Sequence, residues 1–302
     1  LKLLLKKRQL TKKNNKFMSN LLEKIKELRE ITSAGFVDCK KALIESNEDL
    51  EKAIIILRKT GASKALKKSS RMTNEGVVCI NVFKNNASII EINTETDFVA
   101  KNSEFLGFAK KVISLSESIK KVEDLLETKD LDKNTIKENL TNIISKLGEN
   151  IIIKRIDSMN KQENMQIFGY VHNKYEKNIG KIASLVKIKA DKFDNETIEL
   201  GKNISMHIAA SKPITIDLKN LDENIISKEK SILLENIKSS GKPQEVIDKI
   251  LKGKINKFYE EVVLLEQKYI IDNETKIKDL IKSHSKNNKI EIIDYKLFVL
   301  GD

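Results

Sequence analysis

Much that would support chemistry is scarce in this sequence. Only two of the 302 residues are cysteines, Cys39 and Cys79, and no CxxC occurs. Two such thiols make neither a disulfide framework nor a zinc-knuckle spacing; they read as buried free thiols in a reducing compartment, with a single bridge between them as the other arrangement the count allows. The three histidines, at 172, 207 and 284, are too scattered for a metal site, and none sits in an HExxH pattern. Eleven glycines leave no GxxxxGK[ST], GxGxxG or GxSxG, so neither a phosphate-cradling loop nor a nucleophile elbow is present. Carboxylate pairs such as Glu260 and Glu261 fall in helical contexts, where a solvated face explains them. No cofactor, no metal and no catalytic constellation is therefore expected. Apolar runs stop well short of the ~18 residues a membrane-spanning helix needs, so no membrane association of that kind is expected.

Arginine is scarce as well, and this bears on the charge of +12. A basic balance favours phosphate, because bound lysines release counterions. Yet only Arg8, Arg29, Arg58, Arg71 and Arg155 carry the guanidinium that grips phosphate or guanine bidentately. Seven of the positive charges lie in residues 1–17, "LKLLLKKRQLTKKNNKF", which hold no acid. The rest of the surplus reads as solvated lysine surface, and no direct nucleic-acid contact is expected. The opening stretch lacks the apolar length of a secretory signal and the serines and arginines of a transit peptide. It reads as a disordered basic extension or an overlong start, with "MSNLLEKIKEL" from Met18 resembling an ordinary beginning.

What the chain does contain is a change of hydrophobic period. Leu21, Ile25 and Leu28 recur at helical spacing until Gly35; a second helix is predicted over Asp38–Glu45, and a third from a cap at Asn47 to a stop near Gly61. "GVVCINVF" and "ASIIEIN" then read as a hairpin, followed by a helix with Phe105, Ala109, Val112 and Ile113 on one side. "NIIIKRI", "MQIFGYVH" and "KIASLVKIKA" read as further strands, and "NETIELGKNISMHIAASKP" as a helix ended by Pro213. Apolar spacing on either side of "SSGKPQ" gives a helical hairpin, and "KIEIIDYKLFVL" a last strand. Hairpin followed by helix thus occurs twice, an α+β pattern. The expected division is a basic extension over 1–17, a three-helix domain over 18–69, one core subdomain over 70–157 and a second over 158–302 carrying the helical hairpin 222–260.

Between the first hairpin and its helix stands "EINTETDFVAKNSEF", residues 91–105. Thr96 or Asp97 suits a helix cap, which would make Phe98 the first buried residue of that helix. Alternatively Phe98 is an exposed aromatic anchor for a partner's pocket, with Asp97 finding a donor there. Spacing alone leaves both open.

"LREITSAGFVDCKKAL" (28–43) and "EINTETDFVAK" (91–101) resemble the two signature segments of the elongation factor Ts family. "GENIIIKRI", "YVHNKYEKNIGKIASLV", "MHIAASKP", "SGKPQEVIDKILKGKINKFYEE" and "LLEQKYI" resemble further family segments in the same order, from about Leu21 to Val299. The resemblance implies an N-terminal module similar to ubiquitin-associated domains, two α/β subdomains with antiparallel strands, and an inserted helical hairpin. It implies a nucleotide-exchange factor, without catalytic chemistry of its own, for the GTPase elongation factor Tu. Asp97 and Phe98 would push between helices of that partner, with Thr96 and Val99 flanking them. Arg29, Phe36 and Val37 would make the N-terminal contacts, and Leu147, His172 and Ile270 the core contacts. A homodimer or 2:2 complex through the hairpin and a bacterial cytoplasm, ahead of an organelle matrix, complete the expectation. The chain departs from the family pattern at Lys268, where proline is usual and a looser turn is expected. It departs also in the longer loop after His172, and in ending where many relatives continue into a C-terminal helical module. An RNA-binding or assembly module without exchange activity is the alternative function.

Overall fold

The computed structural model describes residues 20–32, 34–238, 243–286 and 288–302. The basic extension lies outside the described residues. A helix over 20–32 (α1) precedes α2 (Phe36–Glu45) and α3 (Leu50–Lys68). Leu21, Ile25, Leu28, Cys39, Leu43 and Ala53 form their common core. Two details differ from the sequence expectation. Asn47 and Glu48 adopt left-handed backbone (φ 55° and 62°), and it is Asp49 that caps α3, accepting from the Lys52 N–H at 3.1 Å. Gly61, expected as the stop, is buried within α3. The methyl of Thr141 lies 3.6 Å from where its Cβ would be, so the missing side chain lets a second helix approach. Good helix formers follow it and outweigh the cost of about 1 kcal/mol for an interior glycine.

Beyond α3 the chain builds a mixed α+β body. β1 (Glu75–Val82) and β2 (Asn86–Thr94) form the expected hairpin. The chain then runs through α4 (Asp97–Ala100), α5 (Ser103–Ser114), α6 (Val122–Glu127), α7 (Ile136–Leu147) and β3 (Ile151–Asn160). β4 (Met165–His172), the short β5 (Ile179–Gly180), β6 (Ile182–Lys189), α8 (Asn195–Ser211), α9 (Glu223–Lys238), α10 (Gln244–Val262), α11 (Ile277–His284) and β7 (Glu291–Val299) complete it. The strands make two antiparallel sheets, β3-β2-β1-β5 and β4-β6-β7. β3 therefore pairs back onto β2 rather than joining the strands that follow it.

The sheets stack face to face, with helices on both outer sides. Along β1 the period-2 geometry sends Val78 and Ile80 toward Ile167, Leu185 and Phe298 of the other sheet, and Val77 and Cys79 toward Phe105 and Val112 of α5. All nine residues of β2 are buried, the polar Asn86, Ser88, Glu91, Asn93 and Thr94 among them, so its sequence shows no clean alternation of apolar and polar positions. On the far side α8 and α11 cover the second sheet through Leu200, Ile204, Ile208, Ile277 and Ile281. Gly201 of α8 lies directly over the Phe168 ring of β4, where an added methyl would overlap the ring. Gly201→Ala should therefore destabilise the fold by about 1–3 kcal/mol, the cost of overpacking, read from urea denaturation; an unchanged midpoint would mean that the helix stands off the sheet. The helices α9 and α10 pack on each other as the expected hairpin.

Candidate partner interface

Phe98 occupies an unusual position. It is 83 % exposed at the first turn of α4, while Ala100, two residues on, is fully buried and Val99 packs against the core of the first sheet. One turn of helix is thus pinned by its inner side and directs the ring outward. Its cap is Thr96, whose hydroxyl accepts from the Val99 N–H at 3.4 Å. Of the two sequence alternatives, the cap is therefore met and the burial of Phe98 is not.

Asp97 beside it pairs with Lys101, four residues on, at 2.7 Å. That hydrogen bond holds the Asp97 carboxyl below the usual carboxylate range, and the charge of Lys181 acts in the same sense. The base of the loop is braced from outside. The Glu149 carboxylate accepts from the Thr96 N–H at 3.1 Å and its hydroxyl at 2.6 Å, and Glu95 accepts from the Asn150 N–H at 2.6 Å and Arg71 at 3.3 Å.

The other candidates fall on two sides of this loop and one place beyond it. α7 starts with a Thr135–Glu138 capping box and ends at Gly148, whose left-handed φ of 81° turns the chain so that Glu149 meets Thr96. Leu147, just before that turn, is half-buried against the first core. Ser145 and Lys146 line a cleft with Lys26, Arg29, Gly35 and Asp38 of the N-terminal bundle. The structure thus brings Arg29 to the edge that carries Leu147 and the loop, and Phe36 and Val37, 44 % and 62 % exposed, follow the cleft residue Gly35.

On the other side, His172 is exposed at the end of β4, its ring nitrogen Nδ1 3.3 Å from the Tyr170 hydroxyl. Its carbonyl accepts from the N–H of Lys181, whose side chain carries the charge felt by Asp97. The longer loop here is closed: the Tyr175 N–H donates to Ile179, and Ile179 and Gly180 pair with β1.

Ile270 lies elsewhere, in the segment before α11, and is 43 % exposed. Lys268 does not loosen this segment, because Lys268 and Lys276 face each other in a bridge and Tyr269 donates to Thr275 at 2.8 Å. The Ile270 N–H donates to Nδ1 of the fully buried His207 at 3.2 Å, which places the ring proton on Nε2, toward the Gln267 carbonyl at 3.0 Å. Burial depresses the pKa of His207. A histidine with a depressed folded pKa stabilises the fold fully only above its unfolded value of about 6.5, and that contribution is lost as the pH falls through and below it. The melting temperature should accordingly drop between about pH 7 and pH 5, and His207→Asn, which retains an acceptor but does not titrate, should flatten the drop. An equal pH dependence in both proteins would assign it to other groups.

Sequence reasoning missed Glu149, Glu95, Lys101 and Lys181. The signal available for Glu149 was its place directly after a glycine at a helix end. Among the described residues no three or more His, Cys, Asp or Glu side chains gather as a metal site, and no helix is long and apolar enough to cross a membrane. Cys39 and Cys79 are both buried free thiols, and burial raises the pKa of each.

A family model described as "Elongation factor TS" matches residues 95–302, beginning at the base of the Phe98 loop. The chain belongs to the elongation factor Ts family. Elongation factor Ts of Gluconobacter oxydans is 36 % identical over 279 residues, covering 92 % of this chain and 91 % of that one. The Rhodospirillum centenum factor is 36 % identical over 282 residues, covering 92 % of each. That of Ehrlichia ruminantium is 38 % identical over 282 residues, 92 % of this chain and 97 % of its own. Membership of the elongation factor Ts family places the chain among the elongation factors of protein biosynthesis.

Proposed function

We propose that the chain binds elongation factor Tu in its GDP form and accelerates GDP release, with Phe98 as a wedge and Asp97 as its polar guide. The observation that carries this reading is the exposure of Phe98, 83 %, on a turn of helix whose cap and inner face are fixed. A large apolar ring held in water by a rigid base loses solvent exposure and little entropy when it enters a pocket. Thr96 supplies the cap, and Val99 the inner anchor. Arg29, Phe36 and Val37 extend the same edge toward the partner, Leu147 supports it, and His172 borders the loop on its other side. Ile270 contacts the partner from the segment before α11, its N–H held by His207.

Exchange of this kind is a coupling between two ligands of the GTPase. A factor that prefers the nucleotide-free form weakens nucleotide binding by the same ratio as nucleotide weakens the factor. A thousandfold ratio corresponds to about 4 kcal/mol. Displacing a partner helix that holds the Mg²⁺ and phosphate groups of GDP supplies it without any acid, base or nucleophile from this chain, and GTP can then rebind. The test is co-purification with elongation factor Tu stripped of nucleotide. The pair should survive gel filtration and separate on addition of GDP with Mg²⁺; a pair indifferent to GDP would contradict exchange and favour an assembly role.

A further inference from the structure

We propose that Glu149 is the positioning residue of the wedge, a carboxylate outside the loop that fixes the direction in which Phe98 projects; the proposal rests on the exchange reading above. Thr96 is the joint through which it acts. The Thr96 hydroxyl has one proton, given to Glu149 at 2.6 Å, so its lone pairs stay free to accept from the Val99 N–H and cap α4. The second carboxylate oxygen takes the Thr96 N–H at 3.1 Å. An acceptor-only group matches both donors at once, and the negative charge strengthens both bonds.

A return clamp runs the other way. Glu95 accepts from the Asn150 N–H at 2.6 Å, and the Asn150 amide donates to the Arg71 carbonyl at 2.9 Å. Residues 95–96 and 149–150 therefore hold each other through crossed carboxylates. The β2–β3 ladder does not need this arrangement, since it already ends at the Thr94–Ile151 pair. The clamp lies just past the last rung, where the wedge begins. α4 has only four residues, too few to hold a helical turn without outside support. Without Glu149 the turn keeps its inner anchors, Val99 and Ala100, but loses the bonds that set its azimuth. The ring would then be presented correctly for a smaller fraction of the time, and the exchange rate would fall with that fraction.

The experiment uses the full chain and elongation factor Tu loaded with fluorescent GDP, with release followed at saturating factor. Glu149→Ala should lower the maximal release rate by about tenfold, the scale of a charge-assisted hydrogen bond, and Glu149→Gln, which keeps one acceptor oxygen, by less. Any merely structural loss would appear whether or not the ring is present. The deciding comparison is therefore made in the Phe98→Ala background, where Glu149→Ala should cost nothing further if it acts through the ring. A wild-type rate for Glu149→Ala, or an equal further loss without the ring, overturns the positioning role. Should Phe98→Ala itself release GDP at the wild-type rate, the wedge role of Phe98 fails and the positioning role with it; a wild-type chain that does not accelerate release refutes the exchange reading itself, and an impaired Phe98→Ala beside an unimpaired Glu149→Ala rejects the positioning role alone.

Discussion

Phe98→Ala is expected to cut stimulated GDP release from elongation factor Tu by about 30-fold to 1,000-fold, the 2–4 kcal/mol of an interface hot spot. It should do so without unfolding the protein. The ring is 83 % exposed and belongs to none of the hydrophobic clusters, so its removal opens no cavity. Stability should stay within about 0.5 kcal/mol of wild type, as for an ordinary surface change. Thermal denaturation and stopped-flow release on the same preparation separate the two effects. A melting temperature that falls by the amount of a core truncation would mean that the ring packs inside its own subunit.

The second large effect lies in the sheet, remote from any partner. Glu91 in β2 is fully buried, and its carboxylate meets the Arg155 Nε at 2.7 Å and the Gly301 N–H at 3.1 Å. Arg155 also donates to the Val299 carbonyl at 2.9 Å and lies over the Phe298 ring, 4.3 Å from its centre. One ion pair thus ties β2 and β3 of the first sheet to β7 of the second. Arg155→Met strands a buried carboxylate, a loss measured elsewhere at about 3–5 kcal/mol. The lower end applies here, since a third of the Arg155 side chain is exposed and Lys154 remains 3.5 Å from Glu91. Urea denaturation should show this loss, and adding Glu91→Gln should recover much of it, because the uncompensated charge is then gone. A double variant as unstable as the single one would show that packing on Phe298, rather than charge, dominates.

The long strands were legible because both sheets are covered on both sides, so their Ile, Val and Leu residues stand out from the lysine-rich helices; the two-residue β5 was not, since Ile179 and Gly180 lie in a stretch that reads as a polar loop. β4 begins at Met165 and ends at His172, as its sequence suggested. The end of α3 was less legible. Gly61 signals a stop in isolation, and only the crossing of α7 makes the glycine a contact residue inside a helix. The pairing of β3 with β2 was hidden for a similar reason, since strand composition does not encode which edge a strand will join. At the candidate interface, Thr96 was readable as a cap from local residues alone. The exposure of Phe98 was not, because it depends on Val99 and Ala100 facing inward. Glu149 stands 53 positions from Thr96, and pairing over such a distance leaves no local trace.

The most direct measurement is the rate at which elongation factor Tu loses labelled GDP, with excess unlabelled nucleotide, as the concentration of this chain is raised. Release should accelerate and saturate, with Phe98→Ala reaching a plateau about 30-fold to 1,000-fold lower. A wild-type chain that binds the GTPase yet leaves its intrinsic release rate unchanged would contradict the exchange mechanism.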